Sequence, residues 1–151
     1  MMTMRFILAV AIAVFLSGCS RQNTPYIELV ALPEANNNAT TPVELVFVYD
    51  DSIAEQLKAV TASEWFQQRN AMIAAYGNKM QVQGFELVPT FDIAPVTLPD
   101  ISAEAVGIFV FARLPNSGSD KLDISHLESV RITIGAHRIS ATAIDNPSAN
   151  N

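Results

Sequence analysis

Val106-Gly107-Ile108-Phe109-Val110-Phe111-Ala112 decides the fold class. The run is short, and β-branched and aromatic residues dominate it, which reads as a strand. Apolar character at nearly every position means that both faces are covered, so the strand belongs in the centre of a sheet. Val43-Glu44-Leu45-Val46-Phe47-Val48-Tyr49, opened by Pro42, is almost as continuous. It too predicts burial on both faces.

Other strands lie outward from these two. Tyr26-Ile27-Glu28-Leu29-Val30-Ala31-Leu32 reads as a strand stopped by Pro33. A polar loop over 33–41 follows, with Asn36, Asn37 and Asn38 in succession. Asparagine tolerates left-handed backbone and bonds locally, so this stretch suits a surface loop. Residues 80–88 and 93–98 read as strands, separated by Pro89 and ended by Pro99. Residues 130–134 and 139–144 alternate as half-buried strands do, with a hairpin turn at Gly135-Ala136.

Between the second and third strands the period changes. Ser52 with Glu55 has capping-box spacing, and Ile53, Leu57 and Val60 recur at helical intervals. Thr61 with Glu64 opens a second helix. Trp65, Arg69, Met72, Ile73 and Tyr76 form its stripe, and Gly77 stops it. That spacing favours packing of Trp65 and Tyr76 against a sheet; the alternative reading is an apolar groove beside them, as in a periplasmic lipoprotein chaperone or lipid-binding module. Seven short strands with turn signals predict a mainly β protein, an antiparallel β-sandwich with a short helical insertion after the second strand.

The amino terminus reads as an address. Arg5 is a basic n-region, and residues 6–16 are uninterrupted apolar chain. Such a run fits a secretory h-region and falls short of the ~20 residues that span a bilayer. Leu16-Ser17-Gly18-Cys19 resembles the bacterial lipobox, and Cys19 is the only cysteine among the 151 residues. Its thiol would carry a diacylglyceryl group and its freed amine an acyl chain, which together anchor a protein stably. Ser20 follows, rather than the aspartate that favours inner-membrane retention. The expected location is therefore the outer membrane, lipid-anchored at its periplasmic face.

The expected organisation is a signal peptide over 1–18, removed in the mature protein, and a lipidated tether over 19–25. A β-sandwich domain then spans 26–144, and a disordered tail spans 145–151. The six residues 20–25 reach at most ~20 Å, so the domain stays close to the lipid. Removal of residues 1–18 takes away only Arg5 among charges, which leaves 133 residues of net charge −7.

The whole chain has 9 Lys+Arg against 15 Asp+Glu, a net charge of −6, with no basic cluster. That composition argues against nucleic acid as a partner. With its sole thiol acylated, the chain has no cysteine nucleophile, and one cysteine excludes a four-cysteine zinc site. Glycine-rich phosphate loops and nucleophile elbows are absent from the sequence. His126 and His137 lack metal-ligand pairing and read as surface residues. Asp120 and Asp123 are too sparse for a calcium loop. Asp50-Asp51 stands where a strand gives way to a helix, which suits stabilisation of the helix dipole. No small-molecule substrate and no cofactor beyond the covalent lipid are expected.

Taken in order, these features resemble the TssJ family, outer-membrane lipoproteins of the type VI secretion system. The residues that carry the resemblance are Cys19, the strand 26–32, the loop 33–41 and the Pro-led strand 42–50. The helical stretch 52–76, Glu86-Leu87-Val88-Pro89 and Val106-Gly107-Ile108-Phe109 complete it. The chain departs from the pattern at Pro115-Asn116-Ser117-Gly118, where many members carry a Trp-Arg pair. The resemblance implies a transthyretin-like β-sandwich with added helices and no catalysis. It implies a structural role at the outer-membrane end of the secretion envelope complex. The implied partner is the periplasmic C-terminal domain of TssM, the large inner-membrane subunit. In that family the loop between the first two strands makes the contact, which corresponds here to Glu34, Ala35, Asn36, Asn37 and Asn38.

Overall fold

The computed structural model describes residues 26–115 and 120–146. The expected signal segment, Cys19, the tether and residues 147–151 lie outside them. Eight strands and two helices are described. Strand β1 is Tyr26–Ala31 and β2 is Thr41–Val48; helices α1, Asp51–Ala59, and α2, Ala62–Tyr76, follow. Strands β3 (Met80–Leu87), β4 (Asp92–Ile93), β5 (Gly107–Ala112), β6 (Lys121–Asp123), β7 (Ser129–Ile134) and β8 (Ile139–Ala143) complete the chain order.

The strands form two four-stranded sheets, ordered β4-β1-β7-β8 and β3-β2-β5-β6. The fold is thus the expected β-sandwich with a helical insertion after the second strand. Every pairing is antiparallel except one: β1 runs parallel to β7, with Tyr26 opposite Ser129 and Ala31 opposite Ile134. The long separation of these two strands in sequence allows this, because a parallel pair needs a long crossover between its members.

The helices make a third layer. Ile27 and Leu29 of β1, Val43, Leu45 and Phe47 of β2, and Val130, Ile132 and Ile134 of β7 fill the space between the sheets. Val46, Val48, Phe109 and Phe111 point the other way, onto Ile53, Leu57 and Trp65 of the helices. Both central strands, β2 and β5, are buried on both faces, which accounts for their continuous apolar sequences.

Three local expectations change. The cap of α1 is Asp50, whose carboxylate accepts from the Ser52 and Ile53 amides, so Ser52 is not the cap. The strand expected over 93–98 shrinks to Asp92–Ile93, because the chain then turns through Pro95 and cannot continue a ladder. A strand at Lys121–Asp123 was not expected; it pairs with Phe109, Val110 and Phe111 of β5. By contrast the Thr61–Glu64 capping box is formed in both directions, and Gly77 ends α2 at φ 54.

Gly107 stands where β5 passes under α1. A Cβ there would lie 3.0 Å from Ala54 Cβ and 3.1 Å from Phe109 Cε2. The bare backbone lets the helix close onto the sheet.

Candidate functional site

The register of the strands gives the sandwich two unlike poles. Tyr26 enters β1 at one pole, its amide bonded to Glu128 O at 2.8 Å. Six residues later β1 leaves at the other, about 20 Å away at strand rise. The far pole gathers four connections. Thr90 N–H donates to Ala31 O, Asn36 N–H to Gly135 O, and Arg113 N–H to Pro42 O. The β1–β2 loop, the β3–β4 turn, the residues after β5 and the β7–β8 turn therefore meet on one surface.

The β1–β2 loop holds an unusual conformation. Asn36, Asn37 and Asn38 all have positive φ, at 48, 55 and 66. Three successive left-handed residues make a turn that most side chains resist and asparagine tolerates. The turn is tied down by Ala35 N–H to Leu32 O at 2.9 Å and Asn37 N–H to Glu34 O at 3.2 Å. Asn36 Nδ2 also donates to Thr40 O at 2.9 Å.

This geometry sorts the five residues expected to meet a partner. Glu34, Asn37 and Asn38 are exposed, and Asn36 is half-buried. Ala35 is fully buried in the core between the sheets. Its side chain cannot be part of a contact surface, which corrects that expectation: its methyl fills the end of the sandwich and fixes the loop. The same pole exposes Val88 and Phe91, the latter at 67% of its surface. Their turn contains Thr90 at φ 68 and is closed by Phe91 N–H to Val88 O at 3.0 Å.

A buried polar cluster lies under the helices. Glu44 of β2 is 5% exposed, although it stands in a run that reads as apolar. Trp65 Nε1 donates to its Oε2 at 2.7 Å, and the Arg69 guanidinium pairs with Oε1. Residues 65 and 69 are one helical turn apart, so α2 presents both donors to the same carboxylate. Trp65 also stacks on Phe111, with ring centroids 4.8 Å apart. Fully enclosed in this way, Trp65 lines no open groove. A hollow of about 340 Å³ remains beside Arg69, lined also by Phe66, Glu86 and Arg113, and Arg113 stacks over Phe66 at 4.5 Å.

Two lysines tie the helices to the sheets. Lys79 Nζ donates to Asp50 Oδ2 at 2.8 Å. That bond, with the one from Ser52, holds the Asp50 carboxyl far below its ordinary pKa. Lys121 Nζ reaches Leu57 O at 2.5 Å and Lys58 O at 2.8 Å, the carbonyl end of α1. Burial pushes the pKa of this amine down. Lys121 and the Asp50 carboxylate each complement the helix end they meet, a cation at the carbonyl end and an anion at the amide end.

The imidazoles are not drawn together. His137 is exposed in the β7–β8 turn at the far pole. His126 is exposed near Tyr26, beside a hollow of about 230 Å³ that Ser102 and Ser125 also line. Among the described residues, no three His, Cys, Asp or Glu side chains cluster as metal ligands. Asp120 precedes β6 and Asp123 is its last residue, where its carboxylate accepts from the Ser125 amide. The sequence reading missed Glu44. Its charge within an apolar strand, with Trp and Arg at i,i+4 on a helix, was the available signal.

Comparison with known proteins gives a fold assignment. No protein-family model and no curated sequence matches the chain. Several solved structures do. The T6SS lipoprotein TssJ1 from Pseudomonas aeruginosa is 18% identical at a TM-score of 0.62, over 81% of this chain and 96% of that one. Serratia marcescens Lip, a membrane bound component of the type VI secretion system, is 14% identical at 0.54, over 81% and 97%. A chain in the structure described as the T6SS protein TssM C-terminal domain (869-1107) from EAEC is 15% identical at 0.59, over 79% and 100%. At these identities the shared property is the fold: the described β-sandwich is that of the TssJ lipoproteins.

Proposed function

We propose that this chain is a non-catalytic assembly lipoprotein of a type VI secretion envelope complex. In this reading Cys19 carries diacylglyceryl and N-acyl chains and holds the domain at the periplasmic face of the outer membrane. The far pole, through Glu34, Asn37 and Asn38, binds the periplasmic C-terminal domain of TssM.

One observation carries the reading: Tyr26 and the asparagine turn lie at opposite ends of the same strand. A domain held close to lipid at the Tyr26 end turns its rigid, amide-rich loop away from the membrane, where an inner-membrane partner arrives. A loop fixed in one conformation binds without the cost of being ordered. The fold likeness to TssJ1 and Lip supports the family. The presence of a chain of this fold in the TssM structure supports the choice of partner.

The test is co-purification of the full chain, in detergent, with the TssM C-terminal domain. Retention of the domain is expected, with at least tenfold weaker binding, about 1.4 kcal/mol, when Glu34, Asn37 and Asn38 are replaced together by alanine. A Cys19→Ser variant should leave the membrane fraction. Absence of binding, or binding indifferent to the triple replacement, overturns the partner assignment. A Cys19→Ser protein that stays with the outer membrane overturns the anchor.

A further inference from the structure

The sandwich has four outer strands, and three of them carry features that hinder further pairing. Strand β4 is two residues long and runs into Pro95. Strand β6 is three residues long and carries Lys121 and Asp123. Strand β3 carries Glu86, and its Gln83 Nε2 donates to Thr97 O at 2.6 Å, which holds the 94–99 segment beside it. Short length, charge, proline and a covering segment are the usual protections of an edge.

Among the described residues strand β8 shows no such protection, and its nearest neighbour besides β7 is the short β6 of the other sheet. The β8 sequence is Ile139-Ser140-Ala141-Thr142-Ala143, without charge, proline or glycine. Among the described residues no strand pairs with it on the side away from β7. The ladder fixes which groups face that side. Gly135 N–H bonds to Arg138 O and Ile144 N–H to Ser129 O, and the register pairs Arg131 with Thr142. Residues 138, 140, 142 and 144 therefore point their main-chain groups at β7. Ile139, Ala141 and Ala143 point theirs outward, three donors and three acceptors at strand spacing. Of the three residues, Ala141 and Ala143 carry small side chains, and Ile139 turns its side chain into the core.

We infer that the β8 edge receives an added β-strand from the partner polypeptide, extending the β4-β1-β7-β8 sheet. The inference rests on the proposed assembly with the TssM domain and adds a second contact along the side of the sandwich. The recognising chemistry is main-chain: an extended segment, free of proline at alternate positions, supplies the complementary N–H and C=O groups. A second copy of this chain is the poorer occupant. Two β8 strands paired antiparallel would set their Tyr26 poles at opposite ends, so two short tethers could not share one membrane surface.

Hydrogen–deuterium exchange on the full chain in detergent, with and without the TssM C-terminal domain, decides this. Amides in 139–143 are expected to exchange at least about tenfold more slowly in the complex. Ala141→Pro removes only an outward N–H, so the fold should survive while that protection and at least tenfold of the affinity are lost. Ala143→Pro repeats the test at the strand end if the first variant misfolds. Binding that protects 34–38 but leaves 139–143 unchanged overturns the inference and spares the proposed function. Binding to neither region overturns both. Protection of 139–143 that rises with the chain's own concentration, without partner, assigns the edge to a second copy and overturns the inference.

Discussion

Trp65 donates its indole N–H to Glu44 Oε2 at 2.7 Å, inside the layer where the helices meet the second sheet. The pair joins α2 to the central strand β2 by a directional contact within an otherwise apolar interface. Arg69 takes the second carboxylate oxygen from its half-exposed position, so the buried charge is both bonded and paired.

Glu44→Ala leaves the Trp65 N–H buried without an acceptor, which costs about 1–3 kcal/mol. Loss of the ion pair adds no more than about 1 kcal/mol, because Arg69 reaches solvent. Glu44→Gln keeps an acceptor for Trp65 and should cost clearly less. Urea denaturation followed by Trp65 fluorescence separates the two. Equal losses for both variants would mean that the indole bond contributes nothing.

The asparagine turn makes a conformational prediction. Asn37 is exposed and has φ 55, so its side chain loses little packing on replacement. Asn37→Gly should be neutral or slightly stabilising. Asn37→Val should cost about 1–2 kcal/mol, since a β-branched residue resists left-handed backbone. Paired unfolding curves give the difference; a neutral valine variant would mean that the turn is not held in this conformation.

Gly107→Ala should destabilise by about 1–3 kcal/mol through crowding of Ala54 and Phe109 under α1. Gly77→Ala meets no atom within 4 Å, and its cost, about 1–3 kcal/mol, comes from a backbone (φ 54, ψ −127) that only glycine adopts readily. A shift of the Trp65 environment is expected in the first variant alone, and near-ultraviolet circular dichroism reads it.

The Asp50–Lys79 contact sets an acid limit. The folded carboxyl titrates below its ordinary value of 3.8, first because Lys79 bonds to it and then because Ser52 does. A depressed carboxyl contributes stability that is complete above the unfolded value and is lost as pH falls through the folded one. Stability should therefore decline below about pH 4. Asp50→Asn keeps a cap acceptor but should flatten that part of the pH profile. An unchanged slope in this variant would remove Asp50 from the account.

Several parts of this fold were readable along the chain because their causes are local. Burial on both faces shows in the continuous runs of β2 and β5, and the Thr61–Glu64 box and Gly77 bound α2. The parallel pairing of β1 with β7 is not local: it joins residues about a hundred positions apart, and no periodicity records which strand lies beside which. Strand β6 is only three residues long, too short to carry an alternation. Residues 93–98 have strand composition, but the turn at Pro95 overrides it. The exposed part of the candidate loop was legible in Glu34 and the asparagines. The burial of Ala35 was not, since a small residue in a polar stretch gives no sign of which way it faces.

The position of β1 has a mechanical consequence. Its first residue takes any pull arriving through the amino-terminal segment, and its last hands over to the far-pole loop. A force applied between these ends runs along the strand. The covalent backbone of β1 carries it, while the six residue pairs with β7 and the shorter ladder to β4 hold the strand in place from either side. The strand that joins the two poles is also interior to its sheet, so tension along the molecule meets its most resistant direction.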